Sequence, residues 1–330
     1  MPDPAEAGRA LEAASELAAA LHRGLAALVL GQEELARGLV AAVLAGGHVL
    51  LQGPPGVGKT LAARALAQLL GGAFARVQCV PDLLPADITG SAVYRRETGG
   101  FEVRRGPIFA DVVVADELNR TSPRTQSALL EAMAEGQVTI DGQSLPLPRP
   151  HLVAATQNPL DAEGTYPLPL SELDRFLFLL PVGYPPPAAE LALLQASEPV
   201  GLEALPAVRP VAALESEEGR GAWRAAVGAV RRGVTVSAAM ADYVHRLVSA
   251  TRAHPDVELG ISTRGALQLL QAARAAAVLE GRPYVTPEDV HAVLRPVCRH
   301  RLRPIPEVLL EGFDPDALLD RISAEVEVPR

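Results

Sequence analysis

The sequence predicts an α/β domain followed by a smaller, mostly helical one, and three observations carry that prediction. First, Gly53-Pro54-Pro55-Gly56-Val57-Gly58-Lys59-Thr60 fits GxxxxGK[ST] between the apolar run His48-Val49-Leu50-Leu51 and a stretch with Leu61, Ala62, Ala65, Leu66, Leu69 and Leu70 at helical spacing. Second, further short β-prone runs recur at Phe74 to Cys79, Asp111 to Glu117, His151 to Ala155 and Phe176 to Leu180; the first run, short and apolar, reads as a buried parallel strand. Third, Pro181, Pro185, Pro186 and Pro187 mark a linker beyond which helical patterns dominate. The division falls at 1–184 and 185–330.

Composition sets the frame. At 330 residues the chain can bury sizeable cores in two domains. The N-terminus lacks a signal-peptide pattern and no run of about 18 apolar residues occurs, so a cytoplasmic protein without a membrane span is expected. Cys79 and Cys298 lie too far apart for a zinc pattern or a disulfide framework and read as buried thiols. The seven histidines form no HExxH arrangement. A net charge of −9 with aromatics at 4% argues against a nucleic-acid motor, which would favour a basic, aromatic-bearing surface.

In chain order, leucines at 11, 17, 21, 25 and 28 predict an amphipathic helix from Ala10 to Leu28, and a second helix from Glu33 to Leu44 follows the break at Gly31-Gln32. Turn signals around Ala92 to Arg95 and Phe101 to Arg104 predict a hairpin interrupting a helix. Arg95, Arg96, Arg104 and Arg105 crowd on it, as either a solvated basic surface or a grip on a partner. Ser122-Pro123 starts a helix that stops at Gly136. Asp141-Gly142 closes a hairpin between Gln137 to Ile140 and Ser144 to Leu147. Ser171-Glu172-Leu173-Asp174 has the spacing of a helix start; a polar interruption from about Glu198 to Gly221 reads as a loop; Thr286-Pro287 starts a late helix.

The chemistry sits in the loop and in DVVVADE. Glycines let backbone N–H groups close around phosphates, and the following helix N-terminus adds positive potential. Lys59 supplies a charge and Thr60 a hydroxyl for Mg²⁺. Lys59 is the only lysine in a chain whose Lys+Arg total is 30. That fits a site needing a compact ammonium rather than a planar guanidinium. Asp116 and Glu117 end the strand run Asp111 to Glu117. There Asp116 holds Mg²⁺, and Glu117 orients or deprotonates the attacking water. Asn158 leaves a further strand as a polar amide able to reach the γ-phosphate or that water. Arg264 falls in the first turn of a helix, where the dipole disfavours a cation unless a phosphate or an acid such as Glu258 is near.

Together GPPGVGKT, VVVADELNR, ATQNP, SELDRF and LGISTRGAL resemble the MoxR family of AAA+ ATPases over nearly the whole chain. The resemblance implies an α/β P-loop NTPase core with a parallel five-stranded sheet in the order 5-1-4-3-2, a helix-2 insert hairpin, a pre-sensor hairpin and a small all-α lid. It implies ATP and Mg²⁺ bound by Gly53, Pro54, Pro55, Gly56, Val57, Gly58, Lys59, Thr60 and Leu61 with Asp116, and it makes Asn158 the first sensor and Arg264 the second. Arg175 matches the arginine finger that reaches a neighbour's nucleotide, with Arg120 as the competing candidate. It further implies a ring, expected as a homo-hexamer, that remodels or matures client proteins, often metal-dependent ones, with a von Willebrand factor A domain partner. A chelatase-type metal-inserting motor is the alternative, and a nucleic-acid-remodelling ATPase a more distant one. The chain departs from the family pattern at Ala92-Val93-Tyr94 and at Ile261-Ser262-Thr263, which bears on lid geometry alone.

Overall fold

The computed structural model describes residues 4–97, 99–159, 164–196 and 210–329; Thr98 and the first part of the polar interruption, 198–209, lie outside them. Helix α1 (Pro4–Leu28) begins earlier than the leucine pattern suggests and buries Ala14, Ala18, Leu21 and Leu25 on one face. Helix α2 (Glu33–Ala45) ends on Gly46, whose φ of 67° is the left-handed value that glycine adopts without penalty. Strand β1 (Val49–Gln52) feeds the loop, helix α3 (Lys59–Leu70) follows, and β2 (Phe74–Gln78) comes next.

The region beyond β2 contains both expected hairpins. A short helix, α4 (Pro85–Thr89), leads into antiparallel β3 (Gly90–Arg95) and β4 (Gly100–Arg105). Strand β5 (Val112–Asp116) precedes α5 (Pro123–Glu135), where the Ser122 hydroxyl accepts from the Thr125 amide. Strands β6 (Gln137–Ile140) and β7 (Gln143–Pro146) turn on Asp141 and Gly142, at φ 49° and 76°, the two positive values this tight turn demands. Strand β8 (Leu152–Gln157) is followed by α6 (Leu170–Leu173) and β9 (Phe178–Pro181). Contrary to the Ser-x-x-Asp spacing, Pro169 precedes the first turn and Asp174 closes the helix, so Ser171 lies within it rather than capping it. Asp174 is instead recruited by arginines from a distant part of the chain.

The five parallel strands run β2-β5-β8-β1-β9, the expected order 5-1-4-3-2 read from the other edge with the hairpin strands set aside. Alternation sorts the side chains. Val49, Leu51, Val112, Val114, Leu152, Ala154, Phe178 and Leu180 face one core with α1, α2 and α3. Leu50, Val77, Val113, Ala115, Val153, Ala155 and Leu179 face a second core with α5 and β6. Both faces are therefore dry, as parallel strands require. Every strand points the same way, so their C-terminal ends share one edge, the place where open α/β sheets bind ligands.

The remaining elements are α7 (Pro187–Gln195), α8 (Glu217–Gly233), α9 (Ala238–Ala253), β10 (Val257–Leu259), α10 (Thr263–Leu279), α11 (Pro287–Cys298), β11 (Arg303–Pro304), α12 (Pro306–Leu310) and α13 (Pro315–Glu325). Helix α8 starts inside the stretch read as loop up to Gly221, because Ser216 caps it by accepting from the Gly219 amide. It packs on α1 and α2, while α10 packs on α2 and α11. Trp223, Tyr243 and Leu269 thereby join the same core as Leu51 and Leu66. Among the described residues no helix is long and apolar enough to cross a membrane, and no group of His, Cys, Asp or Glu is arranged to hold a metal ion by itself. Cys79 and Cys298 are buried, and burial pushes both thiols up to about 12.

Candidate active site

The loop between β1 and α3 is built by its glycines. A Cβ on Gly53 would meet the Val182 carbonyl oxygen at 2.0 Å, so only glycine lets the strand end pass β9's exit. Gly56 and Gly58 stand at φ 81° and 91°. Gly58 sits directly before Lys59, the first residue of α3, so the free N–H groups of the helix's first turn open onto the loop. The Lys59 ammonium donates to the carbonyls of Gly53 at 2.6 Å and Pro54 at 3.0 Å, folded over the loop it serves.

Asp116 and Glu117 meet this loop across the strand edge. Thr60 Oγ1 lies 3.2 Å from both carboxylate oxygens of Asp116, which is 6% exposed. Thr156 Oγ1 on β8 donates to Asp116 Oδ1 at 3.2 Å and accepts the Glu117 amide at 2.8 Å, so one hydroxyl fixes both acids. Glu117 is one of the few non-glycine residues at positive φ, 58°. That conformation costs a β-carbon-bearing residue about 1–2 kcal/mol and is held here by the Thr156 bond and the turn that follows. Its carboxylate receives Gln78 Nε2 at 3.3 Å and pairs with Arg120 at 3.2 Å. Pro55, Gly56, Val57, Gly58, Lys59, Thr60, Leu61, Asp116, Glu117 and Asn158 all line one cleft of about 320 Å³. Gly53 and Pro54 lie just behind it, holding Lys59.

The donor set suits a hard cation. A threonine hydroxyl and a carboxylate side by side are oxygen ligands of the kind Mg²⁺ takes, with room in the cleft for waters. Cys79 follows β2, buried in the second core, and stays a thiol, because burial and then the charges of Asp116 and Glu117 oppose its ionisation.

The two remaining sequence-marked arginines lie outside the cleft. Arg175 Nη1 donates to the Leu130 carbonyl of α5 at 2.7 Å. Arg264 does not meet Glu258, which pairs with Arg303 at 2.9 Å; it faces Asp174, at 4.0 Å. Four residues of the site were not marked by the sequence, Thr156 among them. Arg76 lies 2.5 Å from Asp116 Oδ2 and Gln78 reaches Glu117, both because β2 pairs in register with β5 and sets Gln78 opposite Asp116. Gln32, read only as a helix break, donates to the Val57 carbonyl at 2.9 Å and so braces the loop from behind. A charged residue between Ala75 and Val77 in a short strand was the available signal for Arg76; Gln32 offered none.

A parallel sheet with this cleft on its C-terminal edge and a helical extension defines a AAA+ ATPase, and comparison with known proteins agrees. Residues 48–178 match the model of the ATPase family associated with various cellular activities, and residues 249–322 match an AAA lid domain. A solved structure of a putative ATPase from Cytophaga hutchinsonii superposes with a TM-score of 0.85 at 32% identity, covering 99% of this chain and 98% of that one. Protein YeaC of Bacillus subtilis is 44% identical over 92% of both chains, and the chaperone MoxR1 of Mycobacterium tuberculosis is 38% identical over 92% of this chain and 80% of its own. The chain belongs to the MoxR family of AAA+ ATPases.

Proposed function

We propose that this ATPase works as a ring, expected to be a homo-hexamer, that couples ATP hydrolysis to the remodelling or maturation of a partner protein. The observation that carries the ring is Arg175. It lies outside its own cleft, bonded to Leu130, while Arg120 is already engaged by Glu117. An arginine supplied by a neighbour accelerates phosphoryl transfer by about 10³ to 10⁵ in comparable systems. In this reading residues 1–184 bind the nucleotide and residues 185–330 form linker and lid.

Within one subunit, the first-turn amides of α3 and Lys59 hold the β- and γ-phosphates. Thr60 and Asp116 would hold Mg²⁺, which when bound neutralises charge on those oxygens. Glu117 takes the proton of the attacking water, and Asn158, on the same cleft wall, orients that water. Arg264 on α10, outside this cleft and 4.0 Å from Asp174, senses a nucleotide in its own subunit or in the next. The relative called a chaperone supports remodelling as the output; a metal-dependent client and a von Willebrand factor A domain partner rest on family resemblance.

Turnover per chain, measured against protein concentration for the wild type, for Arg175→Ala and for mixtures, tests the reading. Specific activity is expected to rise with concentration, and mutant subunits to depress mixtures by more than their share. Flat specific activity with simple averaging would mean that each chain hydrolyses ATP alone, and the ring would be withdrawn.

A further inference from the structure

The turn that carries Arg175 is not held by its own domain alone. Arg301, 4% exposed and distant in sequence, spreads its planar fork over it. Its Nε donates to Asp174 Oδ1 at 2.8 Å, and its Nη2 to the Phe176 carbonyl at 2.6 Å and more distantly to that of Asp174 at 3.4 Å. Its Nη1 donates to the Leu177 carbonyl at 3.3 Å and to Val297 behind it. Five N–H donors in a fixed plane can serve so many acceptors; an ammonium cannot. His300, buried beside it and kept neutral by that burial and by the Arg301 charge, lies 3.1 Å from the same Phe176 carbonyl. The residues on both sides of Arg175 are thus gripped by Arg301 of the lid.

The other oxygen of Asp174 faces the helix that carries Arg264. Ser262 Oγ, the cap of α10, lies 3.5 Å from Oδ2, and Arg264 Nη1 lies 4.0 Å from it. The two arginine contacts differ in kind. Arg301 is buried and close, a pairing that a low-dielectric site makes persistent, whereas Arg264 is 63% exposed and distant, free to exchange. One carboxylate therefore joins the Arg175 turn to the Arg264 helix.

We propose that Asp174 and Arg301 are positioning residues for Arg175: they tie its turn to the lid of the same subunit, so that its reach into a neighbour's cleft follows that lid. The inference rests on the reading of Arg175 as acting in trans. It predicts that cutting the tie impairs what a subunit gives to its neighbour and leaves its own nucleotide site intact.

Complementation tests this in the assembled full-length protein. Two tie variants are used: Asp174→Asn, and the double variant Asp174→Leu with Arg301→Met, whose apolar pair avoids an uncompensated buried charge and keeps the fold. Each should bind ATP with unchanged KM and lose about 10²-fold in kcat, the loss expected when a reacting group is displaced by about 1 Å. Mixed with Glu117→Gln subunits, which lack a working site but still offer Arg175, the tie variants should regain turnover. Mixed with Arg175→Ala they should not. The control pair, Arg175→Ala with Glu117→Gln, should recover activity; if it stays inactive, Arg175 does not act in trans and the proposal falls with that reading. If the control recovers while the tie variants turn over normally, lose ATP binding instead, or are rescued by Arg175→Ala, the proposal alone is overturned.

Discussion

The two edges of the central sheet are made from the same strands and behave in opposite ways. At the C-terminal edge the residues just past β1, β5 and β8 are Gly53, Glu117 and Asn158, and the acids there, buried Asp116 and part-exposed Glu117, are paired with half-exposed, exchangeable arginines, Arg76 and Arg120. At the N-terminal edge the residues just before the same strands are His48, Asp111 and His151. Asp111 is 2% exposed and accepts from Arg220 at 2.5 and 2.9 Å and from the Ala73 amide at 2.8 Å. His48 Nδ1 accepts the Val153 amide, so its proton sits on Nε2 and goes to the Met133 carbonyl; the His151 ring packs edge-on against it at 5.8 Å. Burial, with His151 next to it, pushes His48 down to about 3, and burial lowers His151 also. One edge keeps charge available for chemistry, while the other neutralises it to anchor the strands.

That contrast is breakable in four places. Glu117→Gln should lower turnover by about 10² to 10⁴ while leaving the melting temperature near wild type, since the proposed general base is lost from a wet site. Equal loss of stability would mean that Glu117 is structural. Asp111→Asn should do the reverse. Stripping Arg220 of its carboxylate costs about 3 kcal/mol, read as a lower denaturation midpoint with unchanged turnover per folded chain.

Acid should find the N-terminal edge first. His48 has a folded pKa below its unfolded one, so the unfolded chain binds the extra proton between about pH 6.5 and 3, and stability falls as pH drops through that window. At pH 5 His48 alone accounts for about 2 kcal/mol, by the linkage of its two pKa values. Melting curves at pH 7 and pH 5 should separate less for His48→Gln than for the wild type, and an equal separation would remove His48 from the account. Arg76→Gln is expected to matter least. An ion pair whose arginine is 54% exposed contributes less than about 1 kcal/mol, so stability should hardly move. The Mg²⁺ midpoint for turnover should fall, because a competitor for Asp116 is gone; a higher midpoint would make Arg76 part of the binding site instead.

What could be read before folding and what could not follows the range of the forces involved. The loop, DVVVADE and both hairpins were legible because their signals are local: turn chemistry, a strand-length apolar run, a fixed motif spacing. Thr156 and Arg76 became site residues through strand register, which one sequence does not display. Asp174 is the sharper case. Its Ser-x-x-Asp spacing suggested a local cap, but two arginines from far along the chain took the carboxylate, and tertiary pairing overrode the local pattern. The early start of α8 was hidden by polar residues that cap and open a helix as readily as they fill a loop.

The solitary lysine has a practical consequence. With Lys59 folded over Gly53 and Pro54, the protein carries one side-chain amine, half-buried in the nucleotide cleft, and the rest of its surface presents none. Amine-directed reagents, which decorate most proteins at random, have here a single internal target besides the chain terminus. Acylation of that amine reports cleft occupancy directly, and any cellular modification that needs a lysine would have to silence the enzyme in order to mark it.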